Sequence, residues 1–338
     1  MIKINENSSI LPLNTFHIDA KARIIAEYES VAELRELLAQ YRGERLLAVG
    51  EGSNLLFTGD FDGVILHSRM CRARALGENT DEVFIEAESG LVLDELIAQL
   101  VDMGLGGMEN LSYIPGTVGA SAVQNVGAYG VEAKDVIASV KTISVETGEE
   151  RIFTNEECHY GYRDSIFKGE LAGQYIVTSV VYRLSKEPEF KLDYGNLRSA
   201  IDGTPSLTKV REAVINIRRQ KLPEVNELGS AGSFFKNPVV PQPKVAELLE
   251  LYPTMPTYPS PTGDGQGGGF KIPAAWLIEQ SGMKGAREGG AEVYEKQPLV
   301  IVNTGSATAQ DVVTLAARVS DAVRTRFGIT ISPEVNYI

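Results

Sequence analysis

The stretch Ile114–Gly130 reads IPGTVGASAVQNVGAYG and decides the interpretation of the chain around it. Its glycines and other small residues interrupt both helical periodicity and strand alternation, so we predict a loop without a helical or stranded interior. Glycine lets the backbone approach an anion closely, and Ser and Asn side chains add hydrogen bonds. The stretch is therefore typical either of a phosphate-binding loop or of ordinary tight turns.

A second loop of the same character lies upstream, where Gly50–Asn54 reads GEGSN. It has two glycines and then Ser53, and it lacks the third glycine of the G-x-G-x-x-G dinucleotide fingerprint, so a Rossmann site is not expected. Each loop alone is more often a tight turn, because glycine punctuates turns everywhere. Together the two loops can hold a diphosphate.

The sequence GDGQGG, Gly263–Gly268, matches G-x-G-x-x-G letter for letter. It follows the segment YPSPT instead of a strand, and no helix follows at once, so we interpret the match as accidental. The Pro/Gly-rich stretch 253–269 is predicted to be an exposed loop.

The remaining pattern predicts short strands and a few amphipathic helices. Ser30 and Glu33 form a capping-box pattern at the start of one helix, and Gly104 and Gly328 are placed to end two others. Helices are predicted near 91–103, 209–219 and 309–327, with apolar faces at Val92, Leu93, Leu96, Ile97, Leu100 and Val101 in the first and at Val312, Ala316, Val319, Val323 and Phe327 in the last. Strands are predicted in RLLAVG, GVILHS, VFIEAESG, VKTISVE, RIFT, YIVTSVVYRL and the closing ITISPEV. Because regular βαβ alternation is missing, we predict an α+β fold, with a domain boundary near Pro223.

Composition narrows the functional class. A chain of 338 residues suggests two or three domains, and its net charge of −13 argues against general nucleic-acid binding. No apolar run approaches the roughly 18 residues needed to span a bilayer, so we expect a soluble cytoplasmic protein. Cys71 and Cys158 are far apart without histidines at ligand spacing, so they are predicted to be small buried or half-buried thiols, and no metal site is expected.

Three residues stand out as candidates for chemistry. Ser233, in GSAGSFFKNP, lacks the G-x-S-x-G pattern and a Ser/His/Asp set, so an acyl-transfer nucleophile is not expected. A hydroxyl can still donate a proton to a basic carbon, with Lys236 or Lys221 stabilising the alkoxide. Arg163, in YGYRDSIFK, can grip a carboxylate or form a local salt bridge near Asp164, and both interpretations remain open. Glu334, in SPEV, is most simply a surface carboxylate.

Taken in order, the motifs NTFHI, GEGSNLLF, IPGTVGASAVQNVGAYG, YGYRDSIFK, LDYGNL, KLP, GSAGSFFKNP, AAWLIEQ and PEV resemble the UDP-N-acetylenolpyruvoylglucosamine reductase family over nearly the whole chain. The resemblance implies an FAD-binding fold of the vanillyl-alcohol oxidase (PCMH) type with a separate C-terminal α+β substrate domain. The implied division is a first part of the FAD-binding domain at about 1–68, completed by about 328–338, a second part at about 69–222, and a substrate-binding domain at about 223–327.

The resemblance also implies an activity. Members reduce UDP-N-acetylglucosamine enolpyruvate to UDP-N-acetylmuramate in peptidoglycan precursor synthesis, with FAD as cofactor and NADPH as hydride donor. The serine of the GSFF string is the proton donor of the family, which corresponds to Ser233, and the family's arginine and glutamate correspond to Arg163 and Glu334. We expect a monomer that acts on a small UDP-sugar.

Two sets of binding residues follow from the resemblance. The implied FAD-binding residues are Gly50, Glu51, Gly52, Ser53, Asn54, Gly116, Thr117, Gly119, Ser121, Ala122, Asn125, Gly127 and Tyr129. The implied substrate-binding residues are Tyr194, which marks the subgroup with a substrate-closing tyrosine loop, and Arg218, Lys221, Asn237 and Gln297.

Two other functional classes compete with the reductase. An oxygen-using oxidase of the same fold often attaches flavin through a histidine in the phosphate loop, and neither GEGSN nor 114–130 contains one. A catalytically silent nucleotide-binding protein would be expected to lack Ser233, Arg163 or Glu334, and all three are present. The reductase is therefore preferred.

Overall fold

The computed structural model describes residues 1–260 and 269–338. The GDGQGG sequence, Gly263–Gly268, lies outside the described residues. The helices are α1 (Val31–Gln40), α2 (Leu93–Asp102), α3 (Val118–Gln124), α4 (Leu207–Lys221), α5 (Gln242–Leu251), α6 (Ala274–Gln280) and α7 (Ala309–Phe327).

The strands are mostly short. They are β1 (Lys3–Ser9), β2 (Lys21–Tyr28), β3 (Leu46–Ala48), β4 (Leu55–Leu56), β5 (Phe61–Ser68), β6 (Ala73–Glu78), β7 (Glu82–Glu88), β8 (Gly127–Ala128), β9 (Val131–Glu132), β10 (Ile137–Ser144), β11 (Glu150–Thr154), β12 (Tyr175–Ser185), β13 (Gly229–Ser230), β14 (Val239–Val240), β15 (Tyr258–Ser260), β16 (Gly269–Lys271), β17 (Arg287–Glu288), β18 (Ala291–Val293), β19 (Ile301–Asn303) and β20 (Asn336–Tyr337).

The described residues form two compact units, each built from several chain segments. The first unit comprises Met1–Leu13, Lys21–Gly52 and Asp60–Gln220, and the second comprises Asn14–Ala20, Ser53–Gly59 and the described part of Lys221–Ile338. The boundary between the units therefore divides the GEGSN loop after Gly52. The domain boundaries implied by the sequence remain a prediction.

The first unit contains two larger sheets and the two-stranded sheet of β8 and β9. One sheet has the order β1-β2-β5-β3, and α1 packs its buried Leu34, Leu37 and Leu38 against it. Ser30 caps α1 by accepting a hydrogen bond from the amide of Glu33, as predicted. The Glu33 carboxylate accepts from the amide of Glu29 instead of Ser30, so only half of the predicted capping box forms.

The other larger sheet of the first unit has the order β11-β10-β12-β7-β6 and is antiparallel throughout. Helix α2 places Leu93, Leu96, Ile97, Leu100 and Val101 in the core beside this sheet, which matches the predicted apolar face. Gly104 adopts φ 76° just after the helix, a conformation that glycine takes without strain.

The second unit packs three helices and several short strands around one core. Its sheets have the orders β13-β19-β18-β17, β14-β16-β15 and β20-β4. The predicted stripe of α7 is buried at Val312, Ala316, Val319, Val323 and Phe327. Gly328, at φ 64°, ends α7 as predicted.

Some predictions from sequence were wrong. The stretch 253–269, predicted to be an exposed loop, contains β15 at Tyr258–Ser260, which pairs with β16. The stretch 114–130 contains α3 and β8, because Thr117 caps a helix whose small residues fit against neighbouring backbone: a Cβ at Gly119 would lie 2.9 Å from the Cβ of Ser89. The segment Ile329–Val335 is not a strand; β20 begins at Asn336, where the chain meets β4. Cys71 is exposed, whereas Cys158 is buried as predicted.

Among the residues that the structure describes, none of the helices is long and apolar enough to cross a membrane.

Glu86, on β7, is a nearly buried carboxylate in the five-stranded sheet. Burial alone would raise its pKa, but hydrogen bonds from Lys141, Arg74 and Ser179 outweigh burial and lower the pKa of Glu86 from 4.5 to about 2. A depressed folded-state pKa stabilises the fold above the unfolded-state pKa, and this stabilisation disappears as pH falls through the folded-state value.

We therefore expect Glu86→Gln to lower the free energy of unfolding at pH 7 by about 2 kcal/mol. The difference from wild type should shrink between about pH 5 and pH 2, because protonation removes the negative charge of wild-type Glu86, which the variant lacks at every pH. Urea unfolding across that pH range measures it. Glu88→Gln, which alters a more exposed pair with Arg72, is the matched control and should change stability little. A pH-independent loss in Glu86→Gln would contradict the electrostatic origin.

Candidate functional site

The two glycine-rich loops lie side by side in the first unit. A Cβ built on Gly50 would lie 2.6 Å from Oγ1 and 3.0 Å from Cγ2 of Thr117, so only glycine allows this approach. The amide of Gly116 donates to Oε2 of Glu51 at 2.5 Å. The loops predicted to bind the same diphosphate are therefore in direct contact.

The amides of the two loops differ in their partners. In α3 and just before it, Val118 donates to Leu91 O, Gly119 donates to Ser89 O and Ala120 donates to Thr117 Oγ1. These amides are satisfied by the protein itself. In contrast, within the part of the chain that the structure describes, the amides of Gly50, Glu51 and Gly52 donate to no protein acceptor. Gly52 is buried and adopts φ 64°.

This pattern fits the diphosphate of a dinucleotide such as FAD. Successive amides without protein acceptors can bind phosphate oxygens, and the tight fit of Gly50 against Thr117 shapes the backbone around them. The observation favours Gly50–Gly52 as donors to an anion, with Gly116 and Thr117 as the supporting wall. Ser121 and Ala122 are buried inside α3, where the Ser121 hydroxyl donates to Val118 O. The cofactor-binding role of each residue remains a prediction.

Arg163 is locked to the end of the second loop. Its Nη2 donates to Gly127 O at 2.6 Å, and its Nη1 lies 3.5 Å from Asn125 O. Its backbone has φ 55°, a left-handed conformation that is uncommon for residues other than glycine and that occurs preferentially at functional sites. Asn125 reciprocates by donating Nδ2 to Gly161 O at 2.7 Å. The candidate catalytic arginine and a predicted cofactor residue thus fix each other.

Lys168 supports the same arrangement and was not predicted. Its Nζ donates to Arg163 O at 3.0 Å and to Oε1 of Gln124 at 2.5 Å. The lysine therefore connects the backbone of Arg163 to the last turn of α3. The only feature of the sequence that pointed to this role of Lys168 was its position five residues after Arg163 in YRDSIFK.

Arg218 and Asp94 form a second charged group in the first unit. Burial lowers the pKa of the Arg218 guanidinium, and the positive charge of Arg163 lowers it further, whereas Asp94 opposes both effects. Arg218 Nε donates to Tyr113 O at 3.0 Å, and Asp94 accepts from the Tyr113 amide at 2.6 Å. The guanidinium groups of Arg218 and Arg163 both contribute positive charge to this part of the first unit. A positive field of this kind attracts an anion.

The ion pair between Asp94 and Arg211, which supports this group, was not predicted from the sequence. Arg211 approaches the carboxylate with Nη1 at 2.5 Å and Nη2 at 3.0 Å, a bidentate contact between α4 and the first turn of α2. Burial raises the pKa of Asp94, but hydrogen bonds from Arg211 and Tyr113 outweigh burial and keep the pKa below its ordinary value.

Tyr194 lies on an exposed segment of the first unit. Its ring contacts that of Tyr129 edge to face, with centroids 6.3 Å apart and an interplanar angle of 87°. Tyr194 is 52% exposed, and Tyr129 adopts φ 48°. A predicted substrate residue and a predicted cofactor residue are therefore in contact.

Ser233 and Glu334 are brought together in the second unit. The Glu334 amide donates to Phe234 O at 2.7 Å, and the Lys236 amide donates to Ser332 O at 3.0 Å, so the segments run antiparallel around the Phe235 and Pro333 bridge. Both side chains are half-buried. Residues about 100 positions apart in sequence thus become neighbours through backbone pairing alone.

The NTFHI segment clamps the chain that leads to Ser233. Thr15 Oγ1 donates to Ser230 O at 2.6 Å, and the Ser230 amide donates to Thr15 O at 2.8 Å. A Cβ on Gly229 would lie 2.3 Å from Phe16 O. Phe16 is fully buried, and its ring meets Phe234 edge to face at 6.3 Å. The backbone geometry around Ser233 is thus imposed by the amino-terminal segment.

The other predicted residues of the second unit have mixed surroundings. Asn54 Nδ2 donates to Glu334 O at 3.3 Å, and the Asn336 amide donates to Asn54 O, so this end of the GEGSN loop supports Glu334. Ser53 is half-buried. Asn237 Oδ1 accepts from the amide of Ala274 at the start of α6.

Lys221 and Gln297 complete the predicted substrate set. Lys221 is exposed at the end of α4. Gln297 is half-buried in a turn, where its amide donates to Tyr294 O and its carbonyl accepts from Val300. The substrate roles of both residues remain predictions.

Comparison with known proteins identifies the class and then the family. A family model described as an FAD binding domain matches residues 22–153, and one described as the C-terminal domain of UDP-N-acetylenolpyruvoylglucosamine reductase matches residues 223–338. The chain is thus a flavoprotein with an FAD-binding domain and a separate carboxyl-terminal domain.

Curated relatives match over the full length. The UDP-N-acetylenolpyruvoylglucosamine reductase of Bacteroides fragilis is 45% identical over 338 residues, covering 99% of this chain and 100% of the relative. The enzymes of that name from Porphyromonas gingivalis and Flavobacterium johnsoniae are 43% and 40% identical, covering 99% and 100% of this chain and the same shares of the relatives. The chain belongs to the UDP-N-acetylenolpyruvoylglucosamine reductase family.

A solved structure shows the same fold. The crystal structure of UDP-N-acetylenolpyruvylglucosamine reductase from Thermus caldophilus covers 100% of this chain with 98% of its own, at 21% identity and a TM-score of 0.69. The predicted family, fold class and FAD cofactor are confirmed. The protein is an oxidoreductase of peptidoglycan precursor synthesis. The tyrosine-loop subgroup remains a prediction.

Gly50→Ala should weaken FAD binding, because the added methyl group collides with the Thr117 side chain that caps α3. We expect the FAD content of purified protein, measured by absorbance, to fall and the FAD dissociation constant to rise about tenfold or more. Gly77→Ala is the matched control, since a Cβ there has nothing within 4 Å. Equal FAD affinity in the two variants would show that the contact between the loops does not shape the cofactor site.

Proposed function

We propose that the protein reduces the enolpyruvyl ether of UDP-N-acetylglucosamine to UDP-N-acetylmuramate, with NADPH as the electron donor. Membership of the family supports the overall reaction. The single structural observation that supports the chemistry is the antiparallel pairing of Glu334 with Phe234, the residue that follows Ser233. When bound, FAD accepts a hydride from NADPH and supplies a hydride to the methylene carbon of the enolpyruvyl group.

Ser233 then supplies the proton. Hydride addition at the methylene carbon leaves negative charge at C2, and the Ser233 hydroxyl donates its proton to that carbon. The sum is one hydride and one proton added across the double bond, and the serine regains a proton from solvent. Phe234 and Phe235, both essentially fully buried, fix the backbone beside the hydroxyl, and a positioned donor is what general acid catalysis requires.

Arg163 and Glu334 stabilise the charge that develops before protonation. The guanidinium keeps its positive charge at any physiological pH, and its bond to Gly127 O fixes its orientation in advance. Glu334, when protonated, donates a hydrogen bond to the carboxylate of the substrate as charge spreads into it.

The diphosphates are assigned to separate groups of residues. The amides of Gly50–Gly52 would hold the FAD diphosphate, with Glu51 fixing Gly116. Arg218 would attract the uridine diphosphate, and Tyr194 would close over it. The Asp94 carboxylate, which Arg211 holds in place, favours the charged form of Arg218. Lys221, Asn237 and Gln297 would add polar contacts to the same substrate.

As the family resemblance implies, NADPH and the sugar nucleotide would use the same cleft one after the other. NADPH gives up its hydride and leaves before the sugar nucleotide binds, so the reaction divides into two half-reactions that can be measured separately. We also propose that the protein acts as a monomer in the cytoplasm; light scattering on purified protein checks the monomer.

Ser233→Ala should separate the two half-reactions. Anaerobic addition of NADPH should bleach the flavin as fast as in wild type, whereas reoxidation by UDP-N-acetylglucosamine enolpyruvate should slow by about 100-fold or more. Stopped-flow absorbance measures both rates.

Ser281→Ala is the matched control, because it removes a buried hydroxyl of the same unit that has no hydrogen-bond partner among the described residues. Both of its half-reactions should match wild type. Unchanged reoxidation in Ser233→Ala would overturn the proton-donor role, and wild-type flavin that NADPH cannot reduce would overturn the choice of electron donor.

A further inference from the structure

Asn110 joins two separate segments of the first unit through one side-chain amide. It is 1% exposed and lies in the short turn Glu109–Leu111 after α2. Its Nδ2 donates to Tyr129 O at 2.8 Å and to Lys191 O at 2.8 Å. Both protons of the amide are therefore used, one on each segment.

The two segments each carry a residue of the proposed substrate site. Tyr129 belongs to the loop predicted to bind FAD, and Lys191 lies three residues before Tyr194. The rings of Tyr129 and Tyr194 are in edge-to-face contact. Asn110 thus holds the backbone on both sides of a ring contact that neither backbone segment secures by itself.

The segment around Tyr194 has only a small core of its own. Leu192 and Leu197 are buried with Val210 and Val214 of α4, while Tyr194 itself is 52% exposed. A segment anchored by two leucines can rotate about them, since few apolar contacts resist local opening. The bond from Asn110 to Lys191 O sets its position at the amino-terminal end.

The amide oxygen of Asn110 indicates that this residue does not serve stability alone. Its Oδ1 is buried and accepts no hydrogen bond from the described residues. A buried unsatisfied acceptor is destabilising, and such groups in folded proteins call for an explanation. The two donors explain it, because an amide is the short side chain that can donate to two carbonyls at once.

We propose that Asn110 is a positioning residue for substrate closure, which sets Tyr194 against Tyr129 by tying Lys191 O to Tyr129 O. This inference rests on the proposed function, in which Tyr194 closes over the substrate diphosphate. Asn110 touches neither substrate nor flavin in this role. Its effect reaches the substrate through the position of Tyr194.

The chain offers a closely matched control in Asn155. Its Nδ2 also bridges two backbone carbonyls, Lys134 O at 2.8 Å and Ile137 O at 2.7 Å, but it does not contact the Tyr194 segment. Asn110→Asp and Asn155→Asp each replace a double donor by an acceptor of the same shape. A loss that comes from stability alone should be similar in the two variants.

The test measures steady-state kinetics and backbone hydrogen exchange on the full-length, FAD-loaded enzyme. We expect Asn110→Asp to raise the KM for UDP-N-acetylglucosamine enolpyruvate about tenfold while kcat stays within about twofold of wild type. Hydrogen exchange over residues 190–200 should become faster in Asn110→Asp and stay unchanged in Asn155→Asp. Asn110→Ala, which leaves room for water at both carbonyls, should show the same pattern.

A coupling measurement identifies Tyr194 as the route. If Asn110 acts through the tyrosine, Asn110→Asp combined with Tyr194→Ala should raise KM no further than Tyr194→Ala alone. Additive effects would overturn the proposal, as would an unchanged KM in Asn110→Asp or an equal rise in Asn155→Asp. If both Asn110 variants fail to fold while Asn155→Asp folds, Asn110 supports the whole unit and the proposal is also wrong. Wild-type enzyme without turnover would instead contradict the proposed function, while the exchange comparison would still test the link to the 190–200 segment.

Discussion

Irregular backbone in this protein is held by side chains that bond to it. A buried loop must satisfy its N–H and C=O groups without the ladder of a helix or sheet, and each failure is destabilising. Glu51 binds the Gly116 amide, Asn125 binds Gly161 O, and Arg163 binds Gly127 O. These bonds turn glycine-rich segments into a fixed surface. The placement of Gly116, Asn125 and Arg163 depends on them.

The second unit reaches the same end by a different route. Ser233 and Glu334 are positioned by backbone pairing between segments that start about 100 residues apart, with buried phenylalanines on one side. The amino-terminal NTFHI segment and Asn54 then brace the pair from two further parts of the chain. Long-range pairing of this kind fixes the backbone at both residues through main-chain hydrogen bonds.

Sequence reasoning found the elements with strong local signals and missed those that depend on distant partners. The stripe of α7 and the cap at Ser30 were predicted, because periodicity and capping act over a few residues. Helix α3 was missed, because its small residues have weak helix signals and its stability comes from packing on Ser89 and Leu91. Candidate residues were found through the ordered motifs of a family, whereas Asn110 and Asp94 were missed, since nothing local distinguishes a buried polar residue with remote partners.

The charge distribution explains how an acidic chain can serve anionic reactants. The net charge of −13 repels polyanions from most of the surface, yet in the first unit the positive charge of Arg163 reaches Arg218 and lowers its pKa. Two like charges that are partly buried repel each other, and Asp94, itself held by Arg211, offsets part of that repulsion for Arg218. The offset is partial, since burial and the neighbouring arginine still lower the pKa of Arg218. An anion that neutralises the remaining positive charge of Arg163 and Arg218 is therefore favoured near these residues. A compact group such as a diphosphate or a carboxylate meets this requirement.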